Sequence, residues 1–278
     1  MSRRDLTGKA ALVTGAARSG SIGRATALRL AEEGADIACL DVARPPEHAP
    51  GHGMGSQSEL DDLVAEIRAG GRRAVGITAD VTDWTGMHAA VDRVVAELGR
   101  LDICCAMAGG VGFGNGIAPL IRLTEPEWDW VIDVNLKGTW ITASAAAKAM
   151  VAAGQGGRIV TVASAAGLTG ANGTSGMGAY AAAKAGLIVL TQNLAVELGR
   201  YGITVNAVSP GVVRTQASQP VREHLDSRGR LDDWIKTIAL RRMAEPSEIA
   251  AVVAFLCSDD AGYVTGDAVN LTGGQAFG

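Results

Sequence analysis

Short apolar runs alternate along the chain with longer segments whose apolar positions recur at helical spacing. The first run is Ala10-Ala11-Leu12-Val13-Thr14. A helix is predicted over 22–33, with Ala25, Leu28, Leu30 and Ala31 as apolar positions and Gly34 as the stop. A strand over 36–41 follows, then a Pro/Gly/His/Ser loop over 44–57. Ser58 is the expected N-cap of a helix over 59–69, which Gly70-Gly71 ends. A strand over 74–78, a helix over 84–98 and a strand over 102–106 come next. Thr124, with Glu125 and Pro126 in the first turn, opens a helix expected to run to about Ala152. Strands over 158–163, 204–208 and 268–271 and helices over 179–198 and 246–256 complete the pattern.

Strands that are apolar on both faces and joined by helices imply a parallel sheet covered on both sides. No break in composition splits the chain, so the expected fold class is α/β, a single doubly wound domain over 1–278. Irregular excursions are expected at 44–57, 107–123, 167–178 and 212–243. The mixed charges over 216–236 read as a solvated, mobile lid, and 212–243 as the lid over the substrate.

Composition narrows the function. Hydrophobic residues make up 47% and charged residues 19%, enough apolar side chain for a large core and too little charge for disorder. A net charge of -4 gives no reason to expect nucleic acid or an anionic membrane as partner. Cys39, Cys104, Cys105 and Cys257 lie in apolar runs without CxxC spacing, which reads as buried free thiols in a reducing, cytoplasmic setting. The N-terminus has no signal-like apolar region. The uncharged stretches 103–121 and 159–183 are interrupted by Gly, Ser, Thr or Asn, so neither reads as a membrane span. His48 and His52 are four apart, but Pro50 and Gly51 forbid a helix there and no further ligand is near, so no metal is expected.

Between the first strand and the first helix lies Thr14-Gly15-Ala16-Ala17-Arg18-Ser19-Gly20-Ser21-Ile22-Gly23. Glycines there let the backbone pass close to a pyrophosphate, and the helix N-terminus offers free N–H groups to that anion. The second strand ends in Asp41, whose carboxylate can accept both ribose hydroxyls and would repel a 2′-phosphate. This favours NAD over NADP, with Arg18 and Arg44 as the competing cations. Asp80-Val81 follows the third strand at the same sheet edge and is placed either to meet the adenine or to form a turn.

Tyr180 and Lys184 are four apart at a helix start, on one face. A phenol near pKa 10 is a poor base at neutral pH, and an ammonium beside it favours the phenolate. Lowering it by two or three units takes about 3–4 kcal/mol. An ammonium, a bound cationic nicotinamide and partial desolvation are the expected sources. Ser164, at the end of the fifth strand, could hydrogen-bond a substrate oxygen, and Asn135 could hold a water near Lys184.

With these residues in place the chain resembles the short-chain dehydrogenases/reductases from about Thr7 to Gly274. The matching pieces are the Thr14-Gly15-Ala16-Ala17 loop, Asp80-Val81, Ala108-Gly109, Asn135, Ser164, Tyr180-x-x-x-Lys184, Asn206-Ala207-Val208-Ser209-Pro210-Gly211 and Thr215. The resemblance implies a single-domain Rossmann-type sheet of about seven strands with helices on both faces, assembled as a homotetramer or homodimer. It implies Tyr180 as general acid/base, Lys184 as its electrostatic partner and ribose binder, Ser164 as orienter of the substrate oxygen and Asn135 as support for a proton relay. Gly15, Arg18, Ser21, Ile22, Gly23, Asp41, Asp80, Val81, Ala108, Gly109, Pro210 and Gly211 would line the cofactor. The Val213 backbone and Thr215 would hold the nicotinamide carboxamide.

Three features depart from the family pattern. Two extra residues separate Gly15 from Gly23, and Ser21 stands where a hydroxyl could meet phosphate. That spacing is similar to the enoyl-acyl-carrier reductase branch, which however places six residues between Tyr and Lys, where this chain has three. Met107 replaces the usual Asn after the fourth strand. Ser164 and Tyr180 are 16 apart, a longer interval than the family habit, and Ser175 is a rival for the serine role. The expected activity is an NAD(H)-dependent interconversion of a secondary alcohol and a ketone on a small or medium, mostly uncharged molecule. A 3-oxoacyl-thioester reductase and a dinucleotide-sensing scaffold are the alternatives. Trp128 and Trp130 could be core or interface, and the Ala-rich face from Ala143 to Ala149 fits packing between subunits.

Overall fold

The computed structural model describes residues 5–44, 54–111, 118–170 and 176–276. His48, His52 and Ser175 lie outside the described residues, as do parts of the excursions at 44–57, 107–123 and 167–178. The first half of the chain builds β1 (Ala10–Thr14), α1 (Ile22–Glu32), β2 (Asp36–Asp41), α2 (Gln57–Ala69), β3 (Ala74–Thr78), α3 (Trp84–Leu98) and β4 (Ile103–Ala106). The second half builds α4 (Glu125–Ile132), α5 (Gly138–Ala153), β5 (Gly157–Val162), α6 (Ala165–Thr169), α7 (Gly178–Leu198), β6 (Ile203–Pro210), α8 (Gln219–Asp226), α9 (Leu231–Lys236), α10 (Pro246–Cys257) and β7 (Ala268–Leu271).

All seven strands form one parallel sheet in the order β3-β2-β1-β4-β5-β6-β7. Residues along each strand alternate between two cores. Ala11 and Val13 of β1 meet Leu30, Leu63, Val253 and Leu256 from α1, α2 and α10. Ala10 and Leu12 meet Met87, Val94, Ile141, Met150 and Leu194 from α3, α5 and α7. This two-sided burial explains why the strands read as unbroken apolar runs. The chain reverses its winding between β3 and β4, so the connections that leave β1 and β4 run to helices on opposite faces of the sheet, the point at which open α/β sheets have their crevice.

Four details differ from the sequence expectation. Ser56, not Ser58, caps α2: its hydroxyl accepts from the Glu59 amide, and the Glu59 carboxylate accepts in return from the Ser56 amide at 2.9 Å. The helix expected from Thr124 to about Ala152 is divided by a wide turn, Asp133–Lys137, with i→i+5 hydrogen bonding. The Thr139 hydroxyl donates to the Asn135 carbonyl at 2.9 Å and so helps satisfy a carbonyl in that turn. The segment 212–243 is not irregular throughout, because it contains α8 and α9. Finally, Ala143, Ala145, Ala146 and Ala147 are buried in the chain's own core. The outward apolar side chains of α4, α5 and α7 are instead Trp128, Trp140, Val189 and Val196.

Candidate active site

Every strand of a parallel sheet delivers its following loop to the same end, so the predicted site residues gather at the carboxyl edge. After β1, Gly15 and Gly23 bring two stretches of backbone together. A Cβ on Gly23 would stand 2.2 Å from the Gly15 carbonyl oxygen, and one on Gly15 2.8 Å from the Ala108 Cα. The loop, the helix start and the end of β4 therefore touch backbone to backbone, and the crevice floor carries no side chain there. Ser21 is the N-cap of α1, its hydroxyl accepting from the Arg24 amide at 3.0 Å. That bond uses one lone pair of the hydroxyl and leaves its O–H free to donate, with Ile22 and Gly23 in the first turn.

Asp41 is buried at the end of β2. One carboxylate oxygen accepts from the Ala17 amide at 2.9 Å and the other from Ala43 at 3.3 Å. Each oxygen retains a lone pair, so the acid both pins the glycine-rich loop and keeps acceptor capacity. Arg44 is exposed. Asp80 is a turn-former: one oxygen accepts from the Thr82 amide at 2.9 Å and its hydroxyl at 2.7 Å. Val81 is buried against Gly138 at the start of α5.

The Thr14 hydroxyl accepts from the Met107 and Ala108 amides, both at 3.1 Å. The wall after β4 is thus fixed by backbone groups, and the side chain at 107 is free to pack as an apolar group on the core. This role of Thr14 was not evident from sequence, because a buried threonine gives no pattern of its own.

Ser164 ends the β5 segment as N-cap of α6, its hydroxyl accepting from the Ala166 amide at 3.2 Å. The same hydroxyl is hydrogen-bonded to the Tyr180 phenol. Tyr180 and Lys184 lie in the first two turns of α7. Lys184 Nζ is 5.5 Å from the centre of the Tyr180 ring and donates to the Val162 carbonyl at 2.6 Å. Burial alone pushes this ammonium down to about 7. The Tyr180 phenol is pushed up by burial and drawn back by Ser164. Partial desolvation therefore opposes the phenolate, contrary to the sequence expectation, because the anion loses more hydration than the neutral phenol.

Asn135 sits in the wide turn, fully buried. Its amide donates to the Gly110 carbonyl at 2.7 Å and to the Val131 carbonyl at 2.9 Å, and its oxygen accepts from the Gly110 amide at 3.1 Å. The side chain thus holds the segment after β4. It meets Lys184 across Gly109, where a Cβ would stand 2.7 Å from Asn135 Oδ1 and 3.4 Å from Lys184 Nζ.

At the far end of the edge, β6 runs out through Pro210, and the Gly211 amide donates to the Leu271 carbonyl at 3.2 Å. Val213 bridges to Ala244. Ser218 closes a tight turn: its amide donates to the Thr215 hydroxyl at 3.2 Å and its hydroxyl to the Val213 carbonyl at 2.8 Å. The Asn206 side chain, also in the family motif, donates to the Val264 carbonyl at 2.8 Å and accepts from the Asp267 amide at 3.2 Å, which makes it a brace between β6 and the approach to β7.

A family model described as Enoyl-(Acyl carrier protein) reductase matches residues 15–276. A cyclohexanol dehydrogenase of Rhodococcus sp. (strain TK6) is 41% identical over 273 residues, covering 98% of this chain and 97% of its own. The chain belongs to the short-chain dehydrogenase/reductase family. Another relative is an uncharacterised NAD-dependent oxidoreductase of Mycobacterium tuberculosis, 38% identical over 273 residues, or 97% of this chain and 96% of that one. Among solved structures, carveol dehydrogenase from Mycobacterium avium in complex with NAD superposes with a TM-score of 0.89 at 34% identity, covering 98% of this chain and 99% of that one. The short-chain dehydrogenase/reductase fold thus extends through residues 212–243 as well as the sheet.

Proposed function

We propose that this protein is an NAD(H)-dependent oxidoreductase that interconverts a secondary alcohol and a ketone on a small or medium, mostly uncharged substrate. The observation that carries the reading is the meeting of Ser164, Tyr180 and Lys184 beside a crevice whose other end is closed by the buried Asp41. Relatives named for cyclohexanol and carveol support an alcohol of this kind.

The crevice fits a dinucleotide: a floor of bare backbone at Gly15, Gly23 and Ala108, and an acid with spare acceptors at β2. Asp41 would hold the adenosine ribose, the start of α1 the diphosphate, Lys184 the second ribose, and Val213 with Thr215 the carboxamide. The bound nicotinamide supplies or accepts the hydride. Ser164 orients the substrate oxygen by a hydrogen bond. Tyr180 takes the proton from that oxygen in oxidation and returns it in reduction. A protonated Lys184 stabilises the phenolate between these two events. Asn135 keeps the segment after β4 in place behind Lys184, and 212–243 serves as the lid of a single domain. The cytoplasm and a homotetrameric or homodimeric assembly complete the proposal.

The test is a panel of cyclic and open-chain secondary alcohols with NAD and NADP, read by absorbance of the reduced cofactor. A 3-oxoacyl thioester with NADPH is included in the panel. Turnover of alcohols with NAD is the expected result. NADH binding without turnover of any panel member would favour a sensor in place of an enzyme.

A further inference from the structure

The nucleotide loop and the lid are joined across the crevice by one pair of side chains. Arg18 Nε donates to Gln216 Oε1 at 3.1 Å, between residues 198 apart in the chain. Their elements are far apart in the sheet as well. β1 and β6 are separated by β4 and β5, three steps of about 4.8 Å or roughly 14 Å. For the bond to form, the segment after β6 must arch back over the ends of β5 and β4. The space beneath that arch is the opening between β1 and β4, where open α/β sheets bind their ligands.

Both ends of the bridge are braced. On the loop side, Ala17 is held by Asp41 at 2.9 Å, and the Ser19 amide donates to Glu59 at 3.0 Å. On the lid side, the Gln219 amide donates to the Gln216 carbonyl at 3.1 Å, and Arg222 Nη2 to the Thr215 carbonyl at 3.2 Å. Opening the bridge therefore requires only the Arg18 and Gln216 side chains to swing. The guanidinium meets a neutral amide there, with the carboxylates of Glu59 and Asp41 acting on it from the loop side. Its described partner on the segment after β6 is thus uncharged.

We propose that Arg18 and Gln216 form a strap that closes over the bound dinucleotide, Arg18 engaging its diphosphate and Gln216 positioning the guanidinium. The proposal rests on the dinucleotide reading above. It assigns Gln216, which no sequence motif marks, to retention of the cofactor.

The experiment measures NADH release from the full-length protein by stopped-flow fluorescence, with displacement of bound NADH by adenosine and by ADP-ribose. Gln216→Ala is expected to release NADH about ten-fold faster, the loss of one hydrogen bond to a charged group. Arg18→Ala is expected to release it faster still, and the double variant no faster than Arg18→Ala, because Gln216 acts through the guanidinium. Gln216→Glu, which turns the neutral contact into a salt bridge and sets an anion beside the diphosphate, should also release NADH faster than wild type. Adenosine, which lacks the diphosphate, should bind all variants as it binds wild type, whereas ADP-ribose should bind the variants more weakly. Unchanged NADH release in Gln216→Ala, additive effects in the double variant, or equal weakening of adenosine would overturn the strap. Failure of the wild-type protein to bind NADH would overturn the dinucleotide reading itself, and with it the strap.

Discussion

Lys184 holds its ammonium 5.5 Å from the centre of the Tyr180 ring, with its described hydrogen bond made to the Val162 carbonyl. A strand carbonyl, not a carboxylate, is its anchor. The charge is positioned but not neutralised, so burial brings the group down to about 7. Near neutral pH the ammonium can lose its proton or keep it according to what else enters the site.

The first prediction follows from that balance. In the unfolded chain Lys184 titrates near 10.4, and in the folded protein near 7. Between these values the unfolded state binds more protons, so stability without dinucleotide should rise with pH from about 7 to about 8.5. One such group gives at most about 1.4 kcal/mol per pH unit. Above that window the buried thiols of Cys39 and Cys104, pushed up to about 12, act in the opposite sense, because unfolded thiols lose protons first. Urea midpoints at successive pH values measure the curve, and Lys184→Met should remove the rising limb. A wild-type curve that falls from pH 7 to 8 contradicts this account.

Ser164 draws the Tyr180 phenol down against the effect of burial. Ser164→Ala should therefore shift the acid limb of the pH–rate profile for alcohol oxidation to higher pH. It should also lower kcat/KM by about a hundred-fold, the scale of one donor at a reacting oxygen. Tyr180→Phe should cost about a thousand-fold in kcat while NADH binding, followed by fluorescence, persists. Turnover of Tyr180→Phe at the wild-type rate would remove the tyrosine from the chemistry.

Gly109 separates Asn135 from Lys184 with no room for a Cβ. Gly109→Ala should push against the Asn135 oxygen, disturb its bonds to Gly110 and lower stability by about 1–3 kcal/mol. Because the same Cβ approaches Lys184, kcat should fall in parallel with the melting temperature. Normal kcat in a folded Gly109→Ala protein would show that the two side chains are not coupled through this position.

Asp41 accepts from the Ala17 amide and, in the proposed function, offers the ribose its remaining lone pairs. Asp41→Ala should raise KM for NAD about ten- to a hundred-fold and narrow the preference for NAD over NADP, with Arg18 and Arg44 left as the local cations. Steady-state kinetics with both cofactors check this. An unchanged NAD/NADP ratio would place the discrimination elsewhere.

The sequence by itself determined the seven strands, the two-sided burial and the nucleotide loop, because each is written in nearest-neighbour chemistry. The unbroken apolar run of β1, the glycines around Ser21 and the one-turn spacing of Tyr180 and Lys184 need no knowledge of distant residues. Only the tertiary structure decided how these pieces act on one another. The wide turn that seats Asn135 arises where α4 and α5 fail to continue as one helix, which the apolar periodicity does not signal. The inward turn of Ala143, Ala145 and Ala146 depends on which neighbours α5 finds. The acidity of Lys184 is set by what surrounds it, and the Arg18–Gln216 contact by an arch of chain over two strands. Periodicity is a local property of the chain, whereas burial, charge balance and contact across the crevice arise only when distant segments are packed together.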